Sequence, residues 1–403
     1  MRSSAIYYGW FVLAASMVSE LLAMGSTAYA AGFFVAPLQA EFHISRAAAS
    51  SAILFLYLGT TLMAPLGGWA LDRFPIRVVM PLGALVFCGT LTAISLSPSP
   101  LAMALLLMIP GALGFIAVGP VNTSTLAARW FARRRGLALG IAAVATSGGV
   151  LIAPLLERAI LDHGWRGALR YEALAIGTII IGLALVIIRD KPADMGLEND
   201  PENRDRATAP RAALRWSAIF GRHDFWIPSL TVINSSGLAQ AIVTTLPVYG
   251  RQMGLAHTAQ LISAFGLAAG LTKILAGLLA DRLAPRMLLI TACLLMIGAQ
   301  LLLWLMPDPA GLLASAALAG ASLGCALPTA GRMIATAFGA SHFGAVIGWT
   351  YGGMAAASIA ATLFIGHVYD VHHDYSTAFA SFLAVTVVVL GIAAFLKPDA
   401  QAA

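Results

Sequence analysis

Runs of about 20 apolar residues recur from one end of this chain to the other, divided by short turns where charge and proline gather. At 1.5 Å of rise per residue, such a run crosses a hydrocarbon layer ~30 Å thick. The pattern predicts helices over 10–36, 46–70, 78–97, 100–128, 135–157 and 166–188. It then predicts helices over 225–249, 258–280, 287–306, 310–338, 343–367 and 375–396. Residues 189–222, between the two sets of six, shift in composition. Asp190, Lys191, Pro192, Asp194, Glu198, Asp200, Pro201, Glu202, Arg204, Asp205 and Arg206 make a solvated linker. The expected class is an all-α membrane protein of twelve transmembrane helices in two pseudo-symmetric six-helix bundles, residues 1–188 and 223–403, joined by the linker 189–222.

Composition sharpens this. Hydrophobic residues make up 59% of the chain and charged residues 10%, with a mean hydropathy of +0.84, whereas soluble domains carry about 25% charged residues. The net charge of +6 would suit nucleic acid, but its distribution gives another reason. With the N-terminus placed in the cytoplasm, 17 of the 24 Lys and Arg fall in cytoplasmic segments; five, Arg46, Arg158, Arg166, Arg170 and Arg251, fall outside. This positive-inside bias puts both termini and the linker in the cytoplasm of a plasma (inner) membrane and leaves no call for a nucleic-acid partner. Arg2, the first apolar run and Ala28-Tyr29-Ala30 imitate a signal peptide. Glu20 interrupts that run, however, and the repeat described next needs it as a first helix, so cleavage is not expected. Cys88, Cys293 and Cys325 lie inside apolar segments without a C-x-x-C pair, and His372-His373-Asp374 falls in an outer loop. No disulfide framework, metal or cofactor is expected. Neither an ATP-binding loop nor a nucleophile–base pair is present, so no enzyme is expected.

Two stretches repeat. Gly68-Trp69-Ala70-Leu71-Asp72-Arg73, with Pro75 and Arg77, matches Gly277-Leu278-Leu279-Ala280-Asp281-Arg282, with Pro285 and Arg286, at an offset of 209. Pro120, Gly136 and Gly140 match Pro328, Gly344 and Gly348 at 208. The halves are thus in register, and parallel six-helix halves with a midplane site between them are a transporter plan. Gly68 and Gly277 allow close helix approach. Asp72, Arg73, Arg77, Asp281, Arg282 and Arg286 sit in short cytoplasmic turns, where they can pair with each other or with a helix terminus. Such a cluster is expected to act as a conformational latch; the alternative is a static loop anchor.

G-x-x-x-D-R-x-P-x-R after the second helix, repeated after the eighth, resembles the signature loop of the major facilitator superfamily, with Pro75 where that family usually has Gly. Tyr8-Gly9-Trp10, Glu41-Phe42-His43-Ile44-Ser45-Arg46-Ala47 and the run from Trp130-Phe131-Ala132-Arg133-Arg134-Arg135 to Ala142 resemble bacterial monocarboxylate-transporter-like carriers. The related oxalate–formate antiporters share these features. Val144-Ala145-Thr146-Ser147-Gly148 departs from the family by shifting its small residues. The resemblance implies the major facilitator fold. It also implies a substrate-anion ligand at Lys273, four residues before Gly277, where the family usually has Arg. The acid of animal members, one turn earlier, falls at Ala269, so their proton carrier is not carried over.

Ionisable residues inside a span are costly, about 2.5–3.5 kcal/mol each, and are functional candidates by default. Three are expected there: Glu20, Lys273 and Arg332, at depths of about 15, 12 and 9 Å from the cytoplasmic edge by helical rise. Two cations and an acid at one level suggest an anion site with Lys273 and Arg332 as ligands and Glu20 as proton site or counter-ion. The bland readings are an ion pair for Lys273, snorkelling to water for Arg332 and a structural counter-ion for Glu20. Asn122, Tyr29, Tyr57, Asn234, Gln240 and Tyr351 offer hydrogen bonds to a substrate or, equally, to neighbouring helices.

The expected function is a secondary transporter of small organic anions, monocarboxylates first, with a proton travelling alongside to balance charge. The expected partners are the anion, protons and the lipid bilayer, and the expected working state is a monomer. The alternative is a proton-driven efflux pump for drugs or metabolites, which two buried cations disfavour for cationic ligands. A non-transporting receptor or membrane enzyme has no soluble domain or catalytic group to support it.

Overall fold

The computed structural model describes residues 7–29, 31–45, 48–49, 52–132, 134–197, 219–252, 259–306 and 308–394. The core of the predicted linker, 198–218, lies outside them, as does the side chain of Tyr29. Every element among the described residues is helical, and twelve spans follow in order. α1 runs Gly9–Met24, through a π-helical turn at Gly25–Tyr29, to Ala31–Phe42; α2 is Ala52–Arg73 and α3 Ile76–Leu96. α4 is broken: Pro100–Leu106, a π turn at Leu107–Gly111, Ala112–Val118, then Pro120–Trp130. α5 is Arg135–Gly148, Gly149–Leu151 and 153–163, and α6 is 165–186, set off by Gly164 at φ +69. α7 is His223–Gln252, α8 Ala259–Ala280, α9 Pro285–Leu305, α10 Pro309–Phe338, α11 Phe343–His372 and α12 Ser376–Ala394. Ten of these are long and apolar enough to cross a bilayer on those grounds alone. The two that fall short are α5, interrupted at Gly149–Leu151, and α7, which carries Asn234, Ser235, Ser236, Gln240, Thr244 and Thr245.

The helix faces are sorted for lipid. α3 buries Met80, Ala84, Phe87 and Leu91 while Leu82 and Leu85 stay 56% and 57% exposed. A soluble protein does not leave such a stripe in water, whereas a bilayer covers it. Several helix starts have their own caps. Ser99 Oγ accepts from Ala102 N at 3.3 Å and Asp308 Oδ1 from Gly311 N at 2.6 Å. Asp374 accepts from Tyr375 N at 2.7 Å and from the Ser376 hydroxyl, so the third member of His372-His373-Asp374 serves α12.

The chain divides into two compact units, and their membership does not follow the sequence halves. One comprises Met1–Arg133, Val144–Arg211 and Gly339–Gly352; the other comprises Arg134–Ala143, Ala212–Phe338 and Gly353–Ala403. Each unit thus takes in the first turns of one helix, α11 or α5, from the other half of the chain.

In the first unit, two pieces of the monocarboxylate-carrier resemblance meet. Tyr7 Oη donates to the Trp130 carbonyl at 3.0 Å, Tyr8 Oη to the Ile187 carbonyl at 2.9 Å, and Trp130 Nε1 to the Arg189 carbonyl at 2.9 Å. The Trp10 and Phe131 rings pack tilted, 4.5 Å between centroids. These residues tie together the ends of α1, α4 and α6.

A polar clip holds the opposite end of α1. Arg166 donates to Glu41 Oε1 at 2.7 Å and to the Ser95 and Ser97 carbonyls at 2.6 and 2.9 Å, and Trp165 Nε1 donates to Glu41 Oε2 at 2.7 Å. With its last segment counted, α1 is longer than a hydrocarbon layer, so exposed Glu41 projects beyond it. Hydrogen bonds from Arg166 and then Trp165 hold its carboxyl below the ordinary 4.5. The folded state therefore favours the charged form, and the resulting stability is present above that value and lost as pH falls through the lowered one. Wild type is expected to unfold at a higher temperature than Glu41→Gln at neutral pH, with the difference shrinking below pH 4.5 and gone once pH has fallen through the lowered value. A difference that persists in acid would show that the carboxylate charge is not what matters.

Candidate functional site

The two repeated aspartates each close the start of a helix. In the first unit, Asp72 Oδ1 accepts from Gly344 N at 2.9 Å and Oδ2 from Ala345 N at 2.7 Å. In the second unit, Asp281 Oδ1 accepts from Gly136 N at 2.9 Å and Oδ2 from Leu137 N at 3.0 Å. These N–H groups belong to the first turns of α11 and α5, where no intrahelical acceptor exists and the helix dipole adds positive potential. Glycines let the backbones come close enough. A Cβ on Gly68 would stand 1.9 Å from the Gly344 carbonyl oxygen, and one on Gly277 2.6 Å from that of Gly136. One turn further the crossings still correspond: a Cβ on Gly348 would meet the Ala64 carbonyl at 2.3 Å, and one on Gly140 the Lys273 carbonyl at 2.5 Å. The 208 and 209 repeats are therefore the two sides of the same joint, occurring once in each unit.

The signature arginines are not the ion-pair partners of these aspartates. Asp72 has Arg129 of α4 at 3.6 Å, and Asp281 has Arg332 Nε of α10 at 3.2 Å. Arg73 and Arg282 are exposed. The Arg77 main-chain N–H donates to Asp190 Oδ1 at 3.1 Å, and Arg286 donates to the Ala394 carbonyl. Asp72→Asn is expected to cost about 1–2 kcal/mol in thermal unfolding, because it removes a charged cap. Arg73→Ala should stay within about 0.5 kcal/mol as an exposed residue. The reverse order would mean that an Asp–Arg pair, and not the helix start, is what Asp72 holds.

The interior of the first unit gathers four sequence candidates. Glu20 is 1% exposed and accepts from Thr146 Oγ1 at 2.6 Å. Tyr351 lies 3.3 Å from the Ser124 hydroxyl and within electrostatic reach of Glu20. Asn122 is fully buried, and neither its amide oxygen nor its nitrogen has a hydrogen-bond partner among the described residues. It follows a break in α4 where Gly119 is extended (φ −100, ψ −150) ahead of Pro120, which has no N–H to continue the helix. Buried amides without partners are rare, and this one marks a place fit for a polar ligand or water. Tyr57 lies on α2, and among the described residues no hydrogen bond joins its hydroxyl to the other three.

In the second unit, Lys273 is 3% exposed and donates to the Ala143 carbonyl at 2.9 Å, at the α5–α8 crossing. Arg332 of α10 is paired with Asp281, which follows Lys273 by eight residues, about 12 Å of helical rise. Ala269 is 2% exposed, and a Cβ on Gly324 of α10 would stand 2.6 Å from its carbonyl. The position is buried at a close α8–α10 crossing, which leaves little room for a longer side chain. Asn234 donates to Thr386 Oγ1 at 3.4 Å beside Gln300, which donates to the same hydroxyl at 3.1 Å, a side-to-side helix link. Gln240 is half-buried on α7, its carbonyl accepting from Thr244.

Charges held inside membrane helices, with a capped glycine crossing in each unit, define a helical membrane carrier. The chain belongs to the Major Facilitator Superfamily, whose family model matches residues 16–261 and 255–403, a superfamily of transporters and not of enzymes. It is 25% identical over 297 residues to an uncharacterized MFS-type transporter, YcxA, of Bacillus subtilis, covering 70% of this chain and 67% of that one. It is 26% identical over 256 residues to the oxalate:formate antiporter of Oxalobacter formigenes, covering 61% and 57%. Human monocarboxylate transporter 6 is 31% identical over 166 residues, covering 40% and 32%. The matched stretches thus span between a third and two thirds of these relatives. Among solved structures, the E. coli fucose:proton symporter FucP superposes with a TM-score of 0.69 at 15% identity, covering 96% of this chain and 98% of its own. A human organic anion transporter superposes at 0.72 and 16%, covering 96% and 99%. At such identities the likeness establishes the fold.

Proposed function

We propose that the protein is a secondary active transporter of small organic anions, monocarboxylates foremost, that works by alternating access in the plasma (inner) membrane with both termini cytoplasmic. The observation that carries this reading is the buried Lys273 ammonium at the α5–α8 crossing. A point charge held in a low-dielectric bundle attracts a small carboxylate far more strongly than it would in water. The similarity to an oxalate:formate antiporter and to a monocarboxylate transporter supports the same substrate class. Asn122 and Tyr351 offer neutral hydrogen bonds, and Glu20 is the candidate for a proton moved with the anion. The Asp72 and Asp281 caps serve as latches that open and re-form in each cycle. Arg332 becomes available to the anion only when its own cap opens. The test is uptake of a panel of labelled monocarboxylates into proteoliposomes, with and without a pH gradient. Saturable uptake of at least one acid is expected, and uptake of none would sink the reading.

One observation favours a second direction of transport. The chain is 29% identical over 233 residues to the fujikurins efflux protein of Gibberella fujikuroi, covering 53% of this chain and 49% of that one. Efflux of an acidic metabolite would use the same cation. Resistance to such a compound on expression, without net uptake in liposomes, would select it.

A further inference from the structure

α6 holds a fourth intramembrane charge that the sequence reading does not count. Glu172 lies inside the predicted span 166–188, about 10 Å along the helix from Trp165. Both of its carboxyl oxygens are buried, and neither closes a hydrogen bond among the described residues. The nearby arginines on α6 are committed elsewhere: Arg166 to Glu41, Ser95 and Ser97, and Arg170 Nε to Ser95 Oγ at 3.0 Å. From α3 the Cys88 thiol faces the carboxyl, and from α1 the Ser26 hydroxyl does. The remaining acids on α1 are engaged, Glu20 with Thr146 and Glu41 with Trp165 and Arg166.

Ser26 can serve either form of the acid. It stands in the π turn Gly25–Tyr29, and its hydroxyl donates to the Leu22 carbonyl at 2.7 Å. A hydroxyl has one proton, which can lie on Leu22 or rotate toward the Glu172 carboxyl beside it. On Leu22 it leaves a lone pair that accepts from the carboxylic acid; rotated, it donates to the carboxylate. Ser26 and Thr27 also line a cavity of about 90 Å³ that runs between Phe34, Leu91, Trp165 and Leu169. A space of that size admits more than one water, and two hydroxyls give water something to bond.

We propose that Glu172 is a proton-binding site, filled and emptied through the cavity that Ser26 and Thr27 line. Glu172 does not itself line the cavity, so the proton passes through Ser26: the hydroxyl gives its proton to the carboxylate as it takes one from water in the cavity, and the reverse step returns it. The inference goes beyond the anion-transport reading and does not depend on which solute is carried.

The test uses the full-length protein in lipid. Dicyclohexylcarbodiimide, which adds to protonated carboxyls in apolar surroundings, is applied across a pH series, and the peptide that carries Glu172 is quantified by mass spectrometry. Modification that falls several-fold as pH rises is expected. No modification at any pH, or equal modification at every pH, would overturn the proposal. On an acid jump, wild type should also take up about one proton per chain more than Glu172→Gln, and equal uptake would overturn it as well. Should Glu172→Gln fail to fold, the labelling series on wild type still decides.

Discussion

Lys273→Met is expected to abolish carboxylate uptake in proteoliposomes while leaving the protein folded. Methionine keeps most of the volume of the side chain and removes only its charge. Taking away one partner of a buried charge–charge contact costs about 2–5 kcal/mol, roughly thirtyfold to a few thousandfold in affinity. Folding should not suffer in proportion, because an apolar side chain at a buried position carries no desolvation penalty. Lys273→Arg keeps the charge and replaces a point donor by a planar fork, so it should retain uptake with altered preference among acids. Uptake by Lys273→Met at the level of wild type would show that the ammonium is a packing element of the α5–α8 crossing and no ligand. The pair of variants separates the two readings because one removes the charge and the other keeps it.

Gly68→Ala is expected to destabilise the first unit by about 3 kcal/mol or more, at the upper end of what overpacking costs. The added Cβ would sit 1.9 Å from the Gly344 carbonyl oxygen and 2.7 Å from its carbon. Both are main-chain atoms, so no side chain can swing away; α2 and α11 must part. Parting them also draws Gly344 N and Ala345 N off Asp72, which couples the steric effect to loss of the cap. Gly89→Ala in α3 is the control, since nothing lies within 4 Å of the added atom. It should be neutral or slightly stabilising, because alanine restricts the unfolded chain. Equal thermal unfolding of the two variants would deny that α2 and α11 touch as described.

The helices were legible in the sequence because lipid makes one demand on every span, and a run of apolar residues satisfies it regardless of partners. The predicted 310–338 and the observed Pro309–Phe338 differ by one residue at their start. Interruptions inside a span were not legible. Gly119 and the π turns at Gly25 and Leu107 leave the apolar average untouched while redirecting single side chains such as Asn122. The repeat exposed Asp72 and Asp281 by their common offset. The same offset marks Gly136 and Gly344, but spacing along one chain does not say which copy meets which. Arg129 was hidden by the positive-inside count, which treats a cation as a loop charge whatever its partner. Glu172 was hidden by its neighbours, since an acid shortly after Arg166 and Arg170 reads as the charged margin of a span until burial is known.

The exchange of short segments between the units bears on biosynthesis. The first unit includes Gly339–Gly352, so most of its helices are made long before the piece that completes it. Until the ribosome has passed residue 352, Asp72 has no helix start to hold, and the glycine face of α2 has no backbone against it. The earlier helices therefore wait in the membrane as a partial assembly, and the last stretch of translation, from residue 339 on, closes both units almost together. A chain that stops early leaves a buried-type carboxylate and an open groove on display, which are features by which membrane quality control can recognise an unfinished product.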